Sequence, residues 1–185
     1  MIDSLYALND DKDTKVILLI SKPPAKTVRE KIIGVAKGLS KPVVAVFVGS
    51  PPEEGDGNVH FSYTLEDGAV KAVELLEGEI RTIERPVVPA ISFAPGQTGI
   101  KGLYSGGTLG SEAKMLIEQS APDSSHEILD LGDDKYTLGR PHPMIDPSAR
   151  IKFIEEYGQK ADTAVILMDV VLGYGSHIDV PSVLI

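Results

Sequence analysis

Two uninterrupted aliphatic runs, Val16-Ile-Leu-Leu-Ile20 and Val43-Val-Ala-Val-Phe-Val48, flank a stretch whose apolar residues recur with a helical period. A β-branched run without polar alternation has both faces buried, which a strand achieves inside a parallel sheet. Between the runs, Val28, Ile32, Val35, Ala36 and Leu39 fall on one side of a helix from Thr27 to Leu39. Arg29, Glu30, Lys31 and Lys37 take the other side. Strand, helix and strand in that order make a parallel, right-handed crossover. The chain is expected to be α/β, with its first run a central strand.

The same rhythm extends to both sides. A helix over Met1 to Asp10 opens the chain, and a strand is expected at 14–20, stopped by Ser21-Lys22-Pro23-Pro24. A second strand at 42–48 ends in the Gly49 to Gly57 loop, placed where open α/β sheets bind ligands. A short strand at 59–61 leads to Thr64-Leu-Glu-Asp67, whose hydroxyl and carboxylate can close a capping box for a helix to about Glu77. From Glu79 to Gly99 the periodicity fails, and Arg85-Pro-Val-Val-Pro-Ala-Ile-Ser-Phe-Ala-Pro-Gly96 favours extended chain. Residues 80–99 are therefore expected to link a unit at 1–79 to one at 100–185. In the second unit, strands are expected at 100–104, 127–131 and 163–171, with helices at 108–119 and 148–159. So few strands leave sheet edges unpaired, so both units are expected to be incomplete and the chain a fragment of a longer polypeptide.

Composition narrows the function classes. Lys and Arg number 18 against 27 Asp and Glu, a net charge of -9, which disfavours nucleic acid and anionic membranes as partners. The chain has no cysteine, so thiolate nucleophiles and cysteine-bound metals drop out. Neither a long apolar span nor a basic leader is present in the sequence, and a cytoplasmic location is the expectation.

Two loops carry candidate chemistry. In Tyr104-Ser105-Gly106-Gly107-Thr108 the glycines sit between a buried strand and a helix, where the first helical amides and the positive dipole end face an anion. Ser105, Gly106, Gly107 and Thr108 are the candidate phosphate or carboxylate site; a tight turn that only packs the helix is the competing reading. The second loop runs through Asp130-Leu-Gly-Asp133-Asp134 and Gly139-Arg140-Pro-His142-Pro-Met-Ile-Asp-Pro147. Arg140 can clamp an oxyanion, His142 can serve as base or nucleophile, and Asp130 lies after the same strand. Asp133 and Asp134 can offer oxygens to Mg²⁺. A structural His-Pro corner beside an acidic turn is the alternative. The histidines His60, His126, His142 and His177 show no zinc-like spacing.

Six segments carry a family resemblance: Val16-Ile-Leu-Leu-Ile-Ser-Lys-Pro-Pro24, Lys41-Pro-Val-Val-Ala-Val-Phe-Val-Gly49, Gly102-Leu-Tyr-Ser-Gly-Gly-Thr-Leu109, Ile128-Leu-Asp-Leu-Gly-Asp-Asp134, Gly139-Arg-Pro-His-Pro-Met-Ile-Asp-Pro147 and Met168-Asp-Val-Val-Leu-Gly-Tyr-Gly175. Together they resemble the FdrA family of the succinyl-CoA synthetase-like acyl-CoA synthetases. The resemblance implies two flavodoxin-like units, 1–79 similar to an α-subunit ligase domain and 100–185 to the start of a β-subunit CoA-ligase domain. It implies activation of a small carboxylate through an acyl phosphate, with CoA, a nucleotide and Mg²⁺ as cofactors of the longer protein and further subunits, identical or different, as partners. The family's phosphohistidine loop falls near residues 49–62, which makes His60 the positional candidate. Gly57-Asn-Val-His-Phe61 lacks the flanking glycines of that loop, and His60 is expected on a strand edge. The family is also associated with carbamoyl transfer to oxamate in purine-nitrogen catabolism, which needs an anion site and an arginine but no phosphohistidine. A non-catalytic assembly subunit is the third alternative.

Overall fold

A computed structural model describes residues 1–80, 82–122 and 125–184. The chain divides into two compact units, Met1–Val87 and Val88–Ile185, each α/β with a three-stranded parallel sheet of flavodoxin-like type. Residues 82–98 form neither helix nor strand, and the division at Val87 and Val88 falls among them.

The first unit runs α1 (Ile2–Asp10), β1 (Ile17–Ser21), α2 (Lys26–Lys37), β2 (Val43–Phe47), β3 (Val59–Ser62) and α3 (Leu65–Glu77), with sheet order β1-β2-β3. β2 is the central strand and all five of its residues are buried. The first aliphatic run is an edge strand, correcting the expectation that it is central: Ile17 and Leu19 are buried, while Leu18 and Ile20 are 38% and 44% exposed. It also starts at Ile17, not Thr14. The Thr14 amide and hydroxyl both donate to Asp11 Oδ2, at 2.8 and 2.6 Å, in a turn that follows α1.

One face of this sheet packs Leu5, Ile32 and Ala36 of the helices on Ile17, Leu19, Val43, Ala45 and Phe47. α3 covers the other face. Its capping box forms as expected, with Asp67 N donating to Thr64 Oγ1 at 3.0 Å and Thr64 N donating to Asp67 Oδ2 at 3.2 Å. Gly68 lets the helix press on β2, since a Cβ there would lie 2.4 Å from Val46 Cγ2. Gly68→Ala is expected to cost about 1–3 kcal/mol through overpacking, against the gain an alanine normally brings a helix. A thermal melt of the variant at or above the parent's would refute this packing.

The second unit runs β4 (Gly99–Tyr104), α4 (Gly107–Ser120), β5 (Glu127–Asp130), α5 (Asp134–Thr137), a 3₁₀ turn at Pro147–Arg150, α6 (Ile151–Gly158), β6 (Thr163–Met168) and α7 (Val180–Leu184). Its order, β5-β4-β6, places the first strand of the unit in the middle. Strand alternation assigns the faces. Tyr104 meets α4, where a Cβ on Gly110 would stand 3.2 Å from Tyr104 Cβ. Leu103 faces the opposite way and packs with Leu131, Phe153, Ile154, Tyr157 and Ile166 in the core beneath α6. The crossovers thus leave β4 over one face and reach β6 over the other, which opens a crevice at the carboxyl ends of β4 and β6.

Two boundaries differ from expectation. The last strand stops at Met168 instead of 171, because Asp169 turns toward the end of β4. α5 was not anticipated within the loop after β5; Asp133 caps it, accepting from Lys135 N at 3.1 Å. At the opposite edge of the sheet, Lys101, 4% exposed, donates to Ser125 O at 2.8 Å and to Asp162 Oδ2 at 3.2 Å. Hydrogen bonds from Ser125 and Lys101 hold the Asp162 carboxyl below the usual carboxylate range.

Candidate functional site

At the crevice between β4 and β6 the glycine turn is already engaged by a carboxylate of the chain itself. Asp169 Oδ1 accepts from Ser105 N at 2.8 Å and Ser105 Oγ at 3.0 Å, and Oδ2 accepts from Gly106 N at 2.6 Å. Arg150 completes the arrangement from the 3₁₀ turn: Nη1 donates to Asp169 O at 2.6 Å, while Nη2 donates to Asp169 Oδ1 at 2.8 Å and Ser105 Oγ at 2.5 Å. Arg150 and Asp169 are 1% and 6% exposed. Desolvation lowers the Arg150 guanidinium from its ordinary value, against the opposing pull of Asp169.

This arrangement involves two of the four residues expected to hold an anion, Ser105 and Gly106. The amides of Ser105 and Gly106 are committed to Asp169, and a Cβ on Gly106 would stand 3.0 Å from Asp169 Oδ2, so a second anion has no room there. In the first turn of α4 the amides of Gly107 and Thr108 have no carbonyl four residues back within the helix. Because Arg150 neutralises Asp169, the carboxylate beside this turn does not repel an incoming anion as a lone charge would.

His142 reaches the same edge from the proline corner. Its Nε2 stands where a Cβ on Gly132 would be, 2.6 Å from that point, and Ser105 O lies 2.9 Å from it. Only glycine at 132 admits the ring. Met144 N donates to His142 Nδ1 at 3.2 Å, so the lone pair of Nδ1 is used and the neutral ring carries its proton on Nε2. With Nδ1 accepting from Met144 N, the Nε2 of the neutral His142 ring is a hydrogen-bond donor. Asp130 sits at the end of β5, and its Oδ1 accepts from Gly132 N at 3.1 Å, fixing the turn beneath the imidazole. His177 N donates to Met144 O at 2.7 Å, which ties the loop after β6 to the corner; with His142 that loop lines a cavity of about 440 Å³.

The other candidate residues lie elsewhere. Arg140 is exposed and lines a separate cavity, so the structure does not bring it together with His142 or Asp130. Asp133 and Asp134 are exposed, and the first is used as the cap of α5. Among the described residues no group of three or more carboxylate or imidazole side chains is placed to hold a metal ion. His60 is the second residue of β3, in register with Val44 of β2, and sits in the first unit. Neither Arg150 nor Asp169 is a candidate site residue from the sequence, where Asp169 stands in the expected 163–171 strand and in the Met168–Gly175 segment of the family resemblance. The available signal for Asp169 was a lone acid immediately following the aliphatic run Ala164-Val-Ile-Leu-Met168 at a sheet's carboxyl edge.

Residues 103–185 match the CoA-ligase family. The second unit is thus similar to CoA-ligase domains, and the likeness is succinyl-CoA synthetase-like at the level of the superfamily. The match begins at Leu103, two residues before the Asp169-bound turn, and takes in the turn, α4, the His142 corner and Arg150. The chain is also 36% identical, over 208 aligned positions, to the uncharacterized protein YahF of Escherichia coli K12. That alignment covers 97% of this chain and 40% of the length of YahF. Among the described residues, no helix is long and apolar enough to cross a membrane.

Proposed function

We propose that this chain is part of an acyl-CoA synthetase-like protein of the FdrA type, which activates a small carboxylate through an acyl-phosphate intermediate together with further subunits. The observation that carries the reading is that α4's first turn and the His142 corner, which packs on Gly132 beside Ser105 O at the end of β4, lie inside the region that matches CoA-ligase domains. Gly107 N and Thr108 N donate to oxygens of the phosphoryl group or carboxylate, and the helix dipole favours its charge. His142 Nε2 donates to the same anion from across the crevice. Asp169 and Arg150 hold the turn rigid, so these donors are in place before the anion arrives and cost no reorganisation as charge develops. A nucleotide in such a protein supplies the phosphoryl group, and CoA the thiol that takes the acyl group onward.

A second reading has one observation in its favour. His60 is held inside β3 by pairing with β2, so this chain offers no histidine in a mobile glycine loop at the expected place. Carbamoyl transfer needs none: the amide nitrogen of oxamate attacks the carbamoyl carbon, the C–O bond to phosphate breaks, and the proton lost from that nitrogen goes to the departing phosphate in the anion site.

The test uses the longest natural chain that contains this sequence, with the subunits that copurify with it. It is assayed with ATP, CoA and a carboxylate panel beside carbamoyl phosphate and oxamate. Acyl-CoA and ADP formation supports the first reading; carbamoyl-oxamate formation overturns it in favour of the second. Turnover in neither supports an assembly subunit. Independently, Gly107→Val should weaken binding of inorganic phosphate at least about tenfold in calorimetry, because a branched side chain covers the first-turn amides. Unchanged binding would place the anion elsewhere.

A further inference from the structure

Arg140 belongs to a cavity that the function above does not use. It has a volume of about 510 Å³ and shares no lining residue with the cavity that His142 lines. Lys135, Arg140 and Lys152 line it, and no acidic residue does. That is unusual in a chain with 27 acids against 18 bases. Among the described residues, neither Arg140 nor Lys152 makes an ion pair or a side-chain hydrogen bond. Lys135 Nζ rests 4.6 Å from the centroid of the Tyr136 ring, and its interaction with the Tyr136 hydroxyl holds the ammonium beside that ring and favours its charged form. Ser148 contributes no free hydroxyl hydrogen, since Oγ donates to Asp146 Oδ1 at 2.6 Å.

The floor is of a different kind. Leu131 is 2% exposed, and Tyr136 and Phe153 stand edge to face with centroids 5.8 Å apart and planes at 88°. Cations around an aromatic and aliphatic floor match a ligand with an oxyanion at one end and a flat apolar body at the other. An inorganic ion would satisfy the cations and leave the floor wet. A neutral ring would leave the cations unused.

We propose that this cavity is a second binding site, distinct from the crevice at α4, for an aromatic organic phosphate. Its phosphate is held by Lys135, Arg140 and Lys152, and its ring lies on Phe153, Tyr136 and Leu131. Arg140 supplies a two-donor fork and the lysines supply point charges, a combination suited to a dianionic phosphate. The reading is independent of the chemistry proposed at α4, which draws on none of these residues.

The 185-residue chain is titrated with phenyl phosphate, AMP, benzyl alcohol and inorganic phosphate, followed by amide chemical shifts and calorimetry. Phenyl phosphate and AMP are expected to bind with shifts centred on Lys135, Tyr136, Lys152 and Phe153, at least about tenfold more tightly than inorganic phosphate or benzyl alcohol. Arg140→Gln and Lys152→Gln are each expected to weaken phenyl phosphate about tenfold, and both residues are exposed, so folding should be spared. Shifts confined to Gly107 and Thr108, affinities that the two variants leave unchanged, or inorganic phosphate binding as tightly as phenyl phosphate would each overturn the proposal.

Discussion

Replacing Arg150 by methionine is expected to remove about 3–5 kcal/mol of stability, a large share of the roughly 5–15 kcal/mol a domain of this size has. The size follows from what stays behind. Asp169 would keep the amides of Ser105 and Gly106 and the Ser105 hydroxyl, but its charge would be buried without a counter-charge. The methionine would also leave the Asp169 carbonyl without the donor it has in Arg150 Nη1. Arg150→Lys keeps the charge but cannot reach Asp169 O, Asp169 Oδ1 and Ser105 Oγ from one planar fork, so it should fall between parent and methionine variant. Urea unfolding of the three proteins checks the order. A methionine variant as stable as the parent would mean that the buried pair contributes nothing to holding β4, β6 and the 3₁₀ turn together.

The fold was legible wherever burial alone selects the residues. Val43 to Phe47 is buried on every residue, as an unbroken β-branched run requires, and the Thr64 and Asp67 box formed because both partners lie within one turn. The first run misled for a physical reason. An edge strand and a central strand can have the same aliphatic sequence, and only the order of the sheet, a long-range property, distinguishes them. The glycine turn before α4 was legible as an anion-binding shape, but not who fills it: Asp169 lies 64 residues from Ser105, and nothing local predicts that the two meet. The proline corner shows the same limit at short range. Arg140 and His142 are separated by Pro141 alone, yet they line different cavities, because the direction of each side chain depends on the backbone path across the sheet's end.

His142 is where the catalytic prediction becomes sharp, because the three roles a histidine can play differ in what rescues them. With Nδ1 accepting from Met144 N, the ring offers Nε2–H as a hydrogen-bond donor to charge developing at the α4 turn. His142→Ala in the longest natural chain should lower turnover about 10²- to 10³-fold, the scale of losing one such donor, with the melting temperature little changed. His142→Gln should recover a substantial part of that loss, since its amide nitrogen can donate from nearly the same place. A base or a phosphorylated nucleophile would gain nothing from glutamine. Gly132→Ala leaves the imidazole in the protein, but its Cβ would meet Nε2 at 2.6 Å and Ser105 O at 2.9 Å, displacing the ring and pressing on the glycine turn together. A displacement of about 1 Å can cost about 10²-fold, so this variant should also lower turnover although every donor is still encoded. Near-normal turnover in both His142→Ala and Gly132→Ala would remove the corner from the mechanism, and a glutamine variant as inactive as the alanine one would return His142 to the role of base or nucleophile.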